Sequence, residues 1–377
     1  MRFFHVADVH LGAEPDKGFP WSEDRGREIW DSFRRLIQQV GERKADLFLI
    51  AGDLFHRQPL LKELKEINYL FSTIPHTEIV LMAGNHDYLK KDSCYLKYPW
   101  EPNVHCLWGR EEPCVELPRL GTAVYGISYD RKEIRDPLYH HIHAAGKQPI
   151  EILLAHGGDE RHIPFSVQIL ERSGFDYVAL GHIHYSTRVC KNNKIRYSGS
   201  PFVMGFDEAN IARFVLSVNA EKNSTEVEKI EIPKTVEFRR LNGDFLTIRT
   251  ELEKYLDKKT AVETFLELYY KKEAGINIYD QLEELINSLE EKNVYVVNLR
   301  VQESENSGDF FNETYDMEEM AALKPEKIFE NLILAKSRIE TEGKTADEVE
   351  KEKNEIVGTY LPFFMETFAE MENEPEE

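Results

Sequence analysis

Short apolar runs recur through the first half of the chain, and each ends in a polar turn that contains glycine. They lie at residues 3–7, 47–51, 79–83, 152–155 and 177–180. Runs of this kind are typical of strands buried on both faces. Between them, residues 27–40 and 60–71 place apolar side chains at helical spacing. This alternation predicts an α/β layered domain.

Three later apolar runs follow one another without a helical segment between them, at residues 195–197, 211–218 and 227–232. We expect these strands to close the same sheet with an antiparallel section. Pro233 comes next, and we place a domain boundary there. Residues 1–233 are therefore the first predicted domain.

Beyond this boundary, strand-like and helix-like runs alternate again over a shorter length, and we predict a small α+β domain at residues 234–302. From residue 303 to residue 377 the chain becomes acidic, with 22 acidic and 7 basic residues. Two parts of this segment keep helical spacing, residues 325–339 and 356–371. These helices either pack back on the body or dock a partner protein.

The composition supports a folded, non-membrane protein of 377 residues, of which 41% are hydrophobic. No apolar run approaches the roughly 20 residues that cross a bilayer. Asp8 comes before any apolar core of a signal peptide could form, so we expect a cytoplasmic protein. The four cysteines form no C-x-x-C pair, and we interpret them as reduced thiols.

The net charge of -21 does not suggest nucleic-acid binding. Most of the acidity lies in the C-terminal segment, and DNA would need local basic clusters elsewhere. We interpret each available cluster as a solvated helix face: Arg25/Arg27, Arg34/Arg35, Lys90/Lys91 and Arg131/Lys132/Arg135.

Metal-binding residue types stand at the ends of the five strands of the first domain. The five motifs are Asp8-Val9-His10, Gly52-Asp53-Leu54-Phe55-His56, Gly84-Asn85-His86-Asp87, His156-Gly157 and Gly181-His182-Ile183-His184. In an open α/β sheet the carboxyl ends of parallel strands share one edge, so we expect these side chains to converge in one crevice. One such motif is usually a turn, but five at the same kind of position predict a site.

The predicted ligands are carboxylates, one amide oxygen and several imidazoles. Mixed oxygen and nitrogen ligands suit Mn²⁺, Fe²⁺ or Zn²⁺, and the lack of a motif cysteine argues against a thiolate zinc site. Seven candidate ligands exceed the needs of one ion. Two ions that share a carboxylate would use them all, and such pairs catalyse in-line displacement at phosphorus. The motifs therefore predict phosphoester hydrolysis.

The five motifs resemble those of the calcineurin-like metallophosphoesterase superfamily, over residues 8–184. Three segments are similar to the SbcD-type DNA repair exonucleases, including the YhaO-like branch: residues 7–12, 52–56 and 197–201 with Phe206-Asp207-Glu208 after them. This resemblance implies a β-sandwich flanked by helices, followed by a small capping domain and C-terminal helices.

The resemblance also implies roles for individual residues. Asp8, His10 and His184 would bind the first ion, Asp53 would bridge both, and Asn85, His156 and His182 would complete the second. Water activated by the two cations would attack the phosphate, and Mn²⁺ is the implied metal. His86 would stabilise the transition state and protonate the leaving 3′ oxygen, with His56 as its orienting partner.

Other histidines and one carboxylate have simpler interpretations. His5 faces a core by strand alternation, and His141 and His143 lie outside the strand-end pattern and are interpreted as surface residues. His76, His105 and His162 have no partner in register with the strand-end motifs. Asp87 is a ligand by type, but we expect it to hydrogen bond within its turn.

The resulting hypothesis is a Mn²⁺-dependent DNA nuclease, with 3′ to 5′ exonuclease and single-strand endonuclease activity implied by the resemblance. Implied partners are DNA, a second copy of the chain and an SbcC-like coiled-coil ATPase, which would dock on the apolar stripe from Ile328 to Ile339. Two alternatives stay open. One is a phosphodiesterase for small nucleotides or phosphomonoesters, and the other is a repair scaffold with a vestigial metal site.

Overall fold

Fifteen strands and six α-helices are described in the computed structural model, which covers residues 1–19, 21–109, 114–191, 193–208, 212–222, 224–256, 262–272 and 276–302. The strands of the first domain are β1 (Arg2–Val6), β2 (Leu47–Ala51), β3 (Glu78–Met82), β4 (Val104–Cys106), β5 (Cys114–Leu117), β6 (Thr122–Tyr125), β7 (Ile150–His156), β8 (Tyr177–Gly181), β9 (Thr187–Arg188), β10 (Ile195–Tyr197), β11 (Phe214–Glu221) and β12 (Ser224–Glu231). Its helices are α1 (Ser22–Glu42), α2 (Leu61–Ser72), α3 (Cys94–Lys97) and α4 (Val167–Arg172). Short 3-10 helices lie at Pro118–Leu120, Leu138–His141 and Phe206–Glu208.

These strands form two six-stranded sheets that pack face to face. The first sheet has the order β12-β11-β1-β2-β3-β4 and the second has the order β5-β6-β7-β8-β10-β9. Side chains from the two inner faces, among them Leu49, Val80, Ile152 and Ala179, form one shared apolar cluster. The predicted β-sandwich is confirmed.

Helices cover the outer face of the first sheet. Every second residue of its central strands points outward, as Phe48 and Ile50 do on β2, and these side chains pack against α1 and α2 through Phe33 and Ile67. Strands that bury both faces require this continuous apolar composition. The helical segments predicted at 27–40 and 60–71 are confirmed by α1 and α2, and α1 begins five residues earlier, at Ser22.

One part of the predicted topology is wrong. The five strands that end in ligand motifs do not belong to one open sheet, because β1, β2 and β3 lie in the first sheet and β7 and β8 lie in the second. The run at 195–197 is strand β10, which pairs in parallel with β8 instead of continuing an antiparallel section. Only β11 and β12 close the first sheet in antiparallel fashion, through β1. Apolar strands look alike in sequence, whichever sheet they join.

A smaller sheet of three parallel strands follows, with the order β13 (Val236–Gly243), β14 (Glu263–Lys271) and β15 (Val294–Gln302). Helices α5 (Phe245–Leu256) and α6 (Ile278–Glu290) pack on one of its faces. We call this sheet with its two helices the cap. Met1–Gln302 pack together as one compact unit, and the division at residue 233 stays a prediction.

The second face of the cap sheet packs on the start of α1. Trp21 joins Phe238 and Phe265 in one apolar cluster. The guanidinium of Arg25, whose side chain is 0% exposed, lies 5.1 Å from the Phe238 ring centroid and 5.4 Å from that of Phe265. Its Nη1 atom lies 3.1 Å from Glu28 Oε2, so the cation is paired as well as buried.

The interpretation of Arg25 as part of a solvated face is therefore wrong. Helical periodicity places Arg25 in line with the buried Ile29 and Phe33, and the cap covers this end of the stripe. Arg27 does lie on an exposed face, where it pairs with Glu23 and Asp24. The spacing along α1 separates these two arginines, but the aromatic residues that cover Arg25 come from more than 200 positions later in the chain.

The predicted helical segments at 325–339 and 356–371, with the stripe from Ile328 to Ile339, lie outside the described residues. Within the residues that are described, no helix combines the length and the apolar character needed to cross a membrane.

We expect Arg25→Ala to lower the free energy of unfolding by about 3 kcal/mol, because removing one member of a buried ion pair leaves the other charge uncompensated. Urea denaturation followed by circular dichroism measures this loss. Arg27→Ala is the matched control on the same helix, and it should change stability by no more than about 0.5 kcal/mol. Equal losses from both substitutions would contradict the buried role of Arg25.

Candidate metal centre

The turns after the strands hold several of the predicted ligands in a strained backbone conformation. Asp8 and His10 have φ of 54°, Asp53 has φ of 51° and His182 has φ of 98°. Side chains other than glycine rarely adopt positive φ, and residues held there concentrate at functional sites. The folded sandwich maintains this conformation, because the Asp8 N–H donates to the Gly52 carbonyl at 3.2 Å and the His10 N–H donates to the Asp53 carbonyl at 3.1 Å.

One group of predicted ligands gathers around His10. Its Nε2 lies 3.2 Å from His184 Nε2 and 4.0 Å from Asp53 Oδ2. Asp8, His10 and His184 each offer an atom within 4.8 Å of the others. The structure thus brings together the four residues expected around the first ion.

A second group gathers around Asn85. Its Oδ1 lies 3.0 Å from His156 Nε2 and 3.2 Å from His182 Nδ1. His156 Nε2 is also 3.4 Å from Asp53 Oδ2, so Asp53 belongs to both groups. This is the arrangement expected for the second ion and for a bridging carboxylate.

Hydrogen bonds on the outer side of three imidazoles fix which nitrogen faces the pocket. The acceptors are the Ala51 carbonyl for His156 Nδ1 at 2.8 Å, the Asp159 carboxylate for His182 Nε2 at 2.7 Å and the Glu208 carboxylate for His184 Nδ1 at 2.6 Å. A nitrogen that donates outward keeps its proton, so the opposite nitrogen of the neutral ring offers a lone pair to the pocket.

The pocket is consequently lined by acceptor atoms that face one another. Carboxylate oxygen, amide oxygen and imidazole nitrogen converge within hydrogen-bonding distance, and such lone pairs repel unless a proton or a cation lies between them. This donor set suits Mn²⁺, Fe²⁺ or Zn²⁺. The residues therefore fit two divalent cations that share Asp53.

Two buried carboxylates dominate the electrostatics. Burial raises the pKa of Asp8 to about 6. Burial acts in the same direction on Asp53, but the His156 imidazole outweighs it and holds the pKa of Asp53 well below its usual range. Burial also disfavours the charged form of His156, yet the Asp53 carboxylate raises the pKa of His156 to about 9. The pocket demands positive charge, from a proton or from a cation.

Two tyrosines hold the backbone of His156 in place. The Tyr129 and Tyr139 hydroxyls both donate to its carbonyl at 3.1 Å, and its own N–H donates to the Tyr139 hydroxyl at 2.9 Å. All three residues are buried. Their contacts fix the end of β7 at the floor of the pocket.

His86 stands beside the first group. Its backbone N–H donates to Asp53 Oδ1 at 2.9 Å, and its ring centroid lies 4.8 Å from that of His10. Its Nδ1 donates to the backbone carbonyl of His56 at 3.1 Å, which leaves Nε2 free of this contact. The exposed ring of His56 lies alongside at 5.0 Å between centroids. The contact between the two residues is thus a backbone hydrogen bond with ring packing beside it.

The remaining polar residues are placed largely as expected. Buried His5 contacts the Tyr177 hydroxyl at 3.1 Å, and His141 and His143 are exposed. The Asp87 carboxylate is buried and accepts the Gly84 N–H at 2.7 Å, which confirms its turn role. Burial raises the pKa of Asp87 to about 7.

His105 and His162 have no partner in the strand-end motifs, but the structure gives each a carboxylate partner elsewhere. His105 Nε2 lies 2.8 Å from Glu78 Oε2, and His162 Nδ1 lies 2.8 Å from Asp159 Oδ2. The two partners, Glu78 and Asp159, lie outside the strand-end motifs. The first pair joins the neighbouring strands β3 and β4 and the second lies within one loop, and the strand-end pattern reveals neither pair.

Sequence reasoning missed the carboxylates that orient the predicted ligands. Asp159 orients His182, and Glu208 orients His184. Asp159 follows His156 by three residues, and Glu208 closes the Phe206-Asp207-Glu208 segment. Their closeness in sequence to the motifs was the one signal that could have pointed to them. The contacts themselves are visible only in the folded structure.

The model of the calcineurin-like phosphoesterase family matches residues 1–186, which contain every ligand position described above. The chain carries a calcineurin-like metallophosphoesterase domain. The family resemblance drawn from the strand-end motifs is confirmed, and with it the expectation of a divalent-metal hydrolase.

Three relatives extend this comparison. The chain is 31% identical over 217 residues to the DNA double-strand break repair protein Mre11 of Methanocaldococcus jannaschii, covering 53% of this chain and 56% of the relative. It is 27% identical to the metallophosphoesterase YhaO of Bacillus subtilis, covering 49% and 48%. It is 26% identical to the SbcD component of the nuclease SbcCD of Escherichia coli, covering 71% and 77%. The chain thus spans about half the length of the first two relatives.

We expect Gly84→Ala to weaken Mn²⁺ binding about 10-fold or more, the scale on which disturbed ligand surroundings act. A Cβ atom at Gly84 would lie 2.2 Å from Asp53 Oδ1 and 2.6 Å from Asp53 N, so the shared carboxylate must move. Calorimetric titration with Mn²⁺ measures the change.

The matched control is Gly205→Ala, because a Cβ atom at Gly205 meets nothing within 4 Å. It should leave Mn²⁺ affinity within about 2-fold of the parent protein. Undiminished affinity in Gly84→Ala would show that Asp53 does not hold metal in this pocket.

Proposed function

We propose that this protein is a dinuclear-metal DNA nuclease that hydrolyses phosphodiester bonds during DNA end processing. The observation that carries the proposal is the pair of acceptor-lined groups that share Asp53, with His86 beside them. Two ions held by a common carboxylate match the needs of in-line displacement at phosphorus. Mn²⁺ is the metal proposed for both positions, and Fe²⁺ and Zn²⁺ are the alternatives.

Each side chain has a proposed task at the bound phosphate. Asp8, His10 and His184 hold one cation, Asn85, His156 and His182 hold the other, and Asp53 joins them. When bound, the cations supply Lewis acidity and an activated water.

His86 is the proposed general acid. Its Nδ1 is engaged by the His56 carbonyl at 3.1 Å, so the protonated ring donates from Nε2 to the leaving 3′ oxygen. His56 sets the position of this ring and lies exposed at the rim, where it can contact the substrate.

The choice of DNA as substrate rests on the relatives. Two of the three carry names of DNA repair or nuclease proteins, and the match to the SbcD component of SbcCD extends beyond residues 1–186. We propose that residues 1–233 cut DNA, that residues 234–302 position it, and that residues 303–377 dock a partner. The acidic C-terminal segment fits an enzyme that relies on that partner to hold DNA.

The central test is Mn²⁺-dependent cleavage of end-labelled duplex and single-stranded DNA by the parent protein, His86→Asn and Asp53→Asn. We expect His86→Asn to lower the rate by about 10²- to 10⁴-fold, as for loss of a general acid, while it retains Mn²⁺ binding. Asp53→Asn should lose both DNA cleavage and Mn²⁺ binding. The readouts are gel electrophoresis of the products and Mn²⁺ titration.

A small chromogenic diester serves as the control substrate. Rapid cleavage of this ester without cleavage of DNA would overturn the nuclease assignment and support a small-molecule phosphodiesterase. Mn²⁺ binding without cleavage of either substrate would instead support a scaffold with a vestigial site.

A second proposal concerns partners. The relative in Escherichia coli is named as one component of a larger nuclease, and we propose that this chain forms a homodimer that binds an SbcC-like coiled-coil ATPase. The sequence from Ile328 to Ile339 carries apolar residues at helical spacing, which is typical of a helix that docks in a groove.

We expect the combined change of Phe329, Leu332 and Ile333 to Asp to abolish recovery of the ATPase with the tagged chain. Docking would then have to bury three unpaired carboxylates, which costs too much free energy. Asn331→Asp with Ser337→Asp adds charge to the same segment but spares its apolar positions, and should retain the ATPase. Equal recovery with both variants, read from affinity pull-down, would exclude this docking site.

A further inference from the structure

Three consecutive residues connect the metal pocket with the cap. They form the 3-10 helix Phe206–Glu208, which lies between β10 and β11. Phe206 and Asp207 contact the cap, and Glu208 contacts a predicted ligand. We call these three residues the linking turn.

On the pocket side, Glu208 holds His184 in two ways. Its Oε1 accepts the His184 Nδ1–H at 2.6 Å, and its Oε2 accepts from Arg213 Nη2 at 2.7 Å. Arg213 Nη1 in turn donates to the His184 carbonyl at 2.8 Å. The ring and the backbone of the same residue are therefore fixed through one carboxylate.

This arrangement is largely shielded from solvent. The Glu208 side chain is 15% exposed and that of Arg213 is 5% exposed. An ionised carboxylate on the outer nitrogen of an imidazole fixes its tautomer and raises its strength as a ligand.

On the cap side, the linking turn contacts β13. The ring of Phe206 lies edge-on to Phe238 with 4.9 Å between centroids. Arg240 Nη2 lies 2.9 Å from Asp207 Oδ1, and the Arg240 guanidinium lies 5.8 Å from the Phe206 ring centroid. The exposed ion pair contributes little by itself, so the aromatic contact is the stronger attachment.

We propose that Glu208 is a positioning residue for His184 and that the linking turn couples the seating of the cap to the metal affinity of the pocket. A shift of the cap would carry β13 with it, and would thereby move Phe206 and, two residues later, the carboxylate that orients His184. This inference rests on the proposed role of His184 as a metal ligand. It adds a route by which DNA or a partner on the cap adjusts the catalytic centre.

The first test is Mn²⁺ titration of Glu208→Gln, followed by electron paramagnetic resonance of free Mn²⁺. The amide keeps the size of the side chain but removes its charge, and we expect roughly 10-fold weaker binding of one of the two ions. The melting temperature of the metal-free protein, measured alongside, reports folding.

A double-mutant cycle separates positioning from a general structural role. In a His184→Ala background, where no ring remains to be oriented, Glu208→Gln should change Mn²⁺ affinity by less than about 2-fold. The same loss in both backgrounds would overturn the positioning role, even if Glu208→Gln lowers thermal stability.

The second test addresses the coupling. Phe206→Ala removes the contact with Phe238, and we expect at least 3-fold weaker Mn²⁺ binding. Tyr279→Ala is the control, because it truncates an aromatic residue of the cap that is 57% exposed and belongs to α6. Equal affinities of Phe206→Ala and the parent protein would refute coupling.

Failure of the proposed nuclease function can be distinguished from failure of this inference. Parent protein that binds two Mn²⁺ ions but cleaves no DNA would overturn the nuclease and leave this inference standing. Parent protein that binds no Mn²⁺ would overturn both.

Discussion

Two carboxylates are buried where the two sheets of the sandwich meet, and the rest of the pocket is arranged around them. Asp8 and Asp53 come from the first sheet and are almost completely excluded from solvent. Asp8 accepts the backbone N–H of His182, on the second sheet, at 2.9 Å, so one carboxylate also ties the two sheets together. Buried negative charge needs compensation, and imidazoles from both sheets surround it.

The backbone reflects this constraint. The ligand-bearing turns hold non-glycine residues at positive φ, and a Cβ atom at Gly84 would meet the Asp53 carboxylate at 2.2 Å. Such strain persists only where surrounding structure over-determines it. Here the support comes from apolar cores on both faces of each sheet and from the tyrosine hydroxyls that hold His156. The packing of the sandwich thus holds the strained turns and, with them, the polar atoms of the pocket.

Charged side chains also lie behind the predicted ligands, on the side away from the pocket. Asp159 and Glu208 each accept a hydrogen bond from the outer nitrogen of an imidazole, and Arg213 balances Glu208. The orientation of the predicted ligands therefore depends on groups that lie farther from the pocket. Glu208 also belongs to the turn that contacts the cap, so the pocket and the cap are joined through the same three residues.

The sequence by itself determined the strands that end in the motifs, the two long helices and the residue types at those strand ends, because period and composition are local properties. The short strands β4, β5, β6 and β9 were not among the predicted runs. The sequence also identified Asp87 as a turn residue and His5 as a core residue. Only the tertiary structure decided that the strands with predicted ligands belong to two sheets, that the cap covers Arg25 and that Asp159 and Glu208 bond to predicted ligands. Those facts depend on contacts between residues far apart in the chain, and one sequence carries no periodic signal for such contacts.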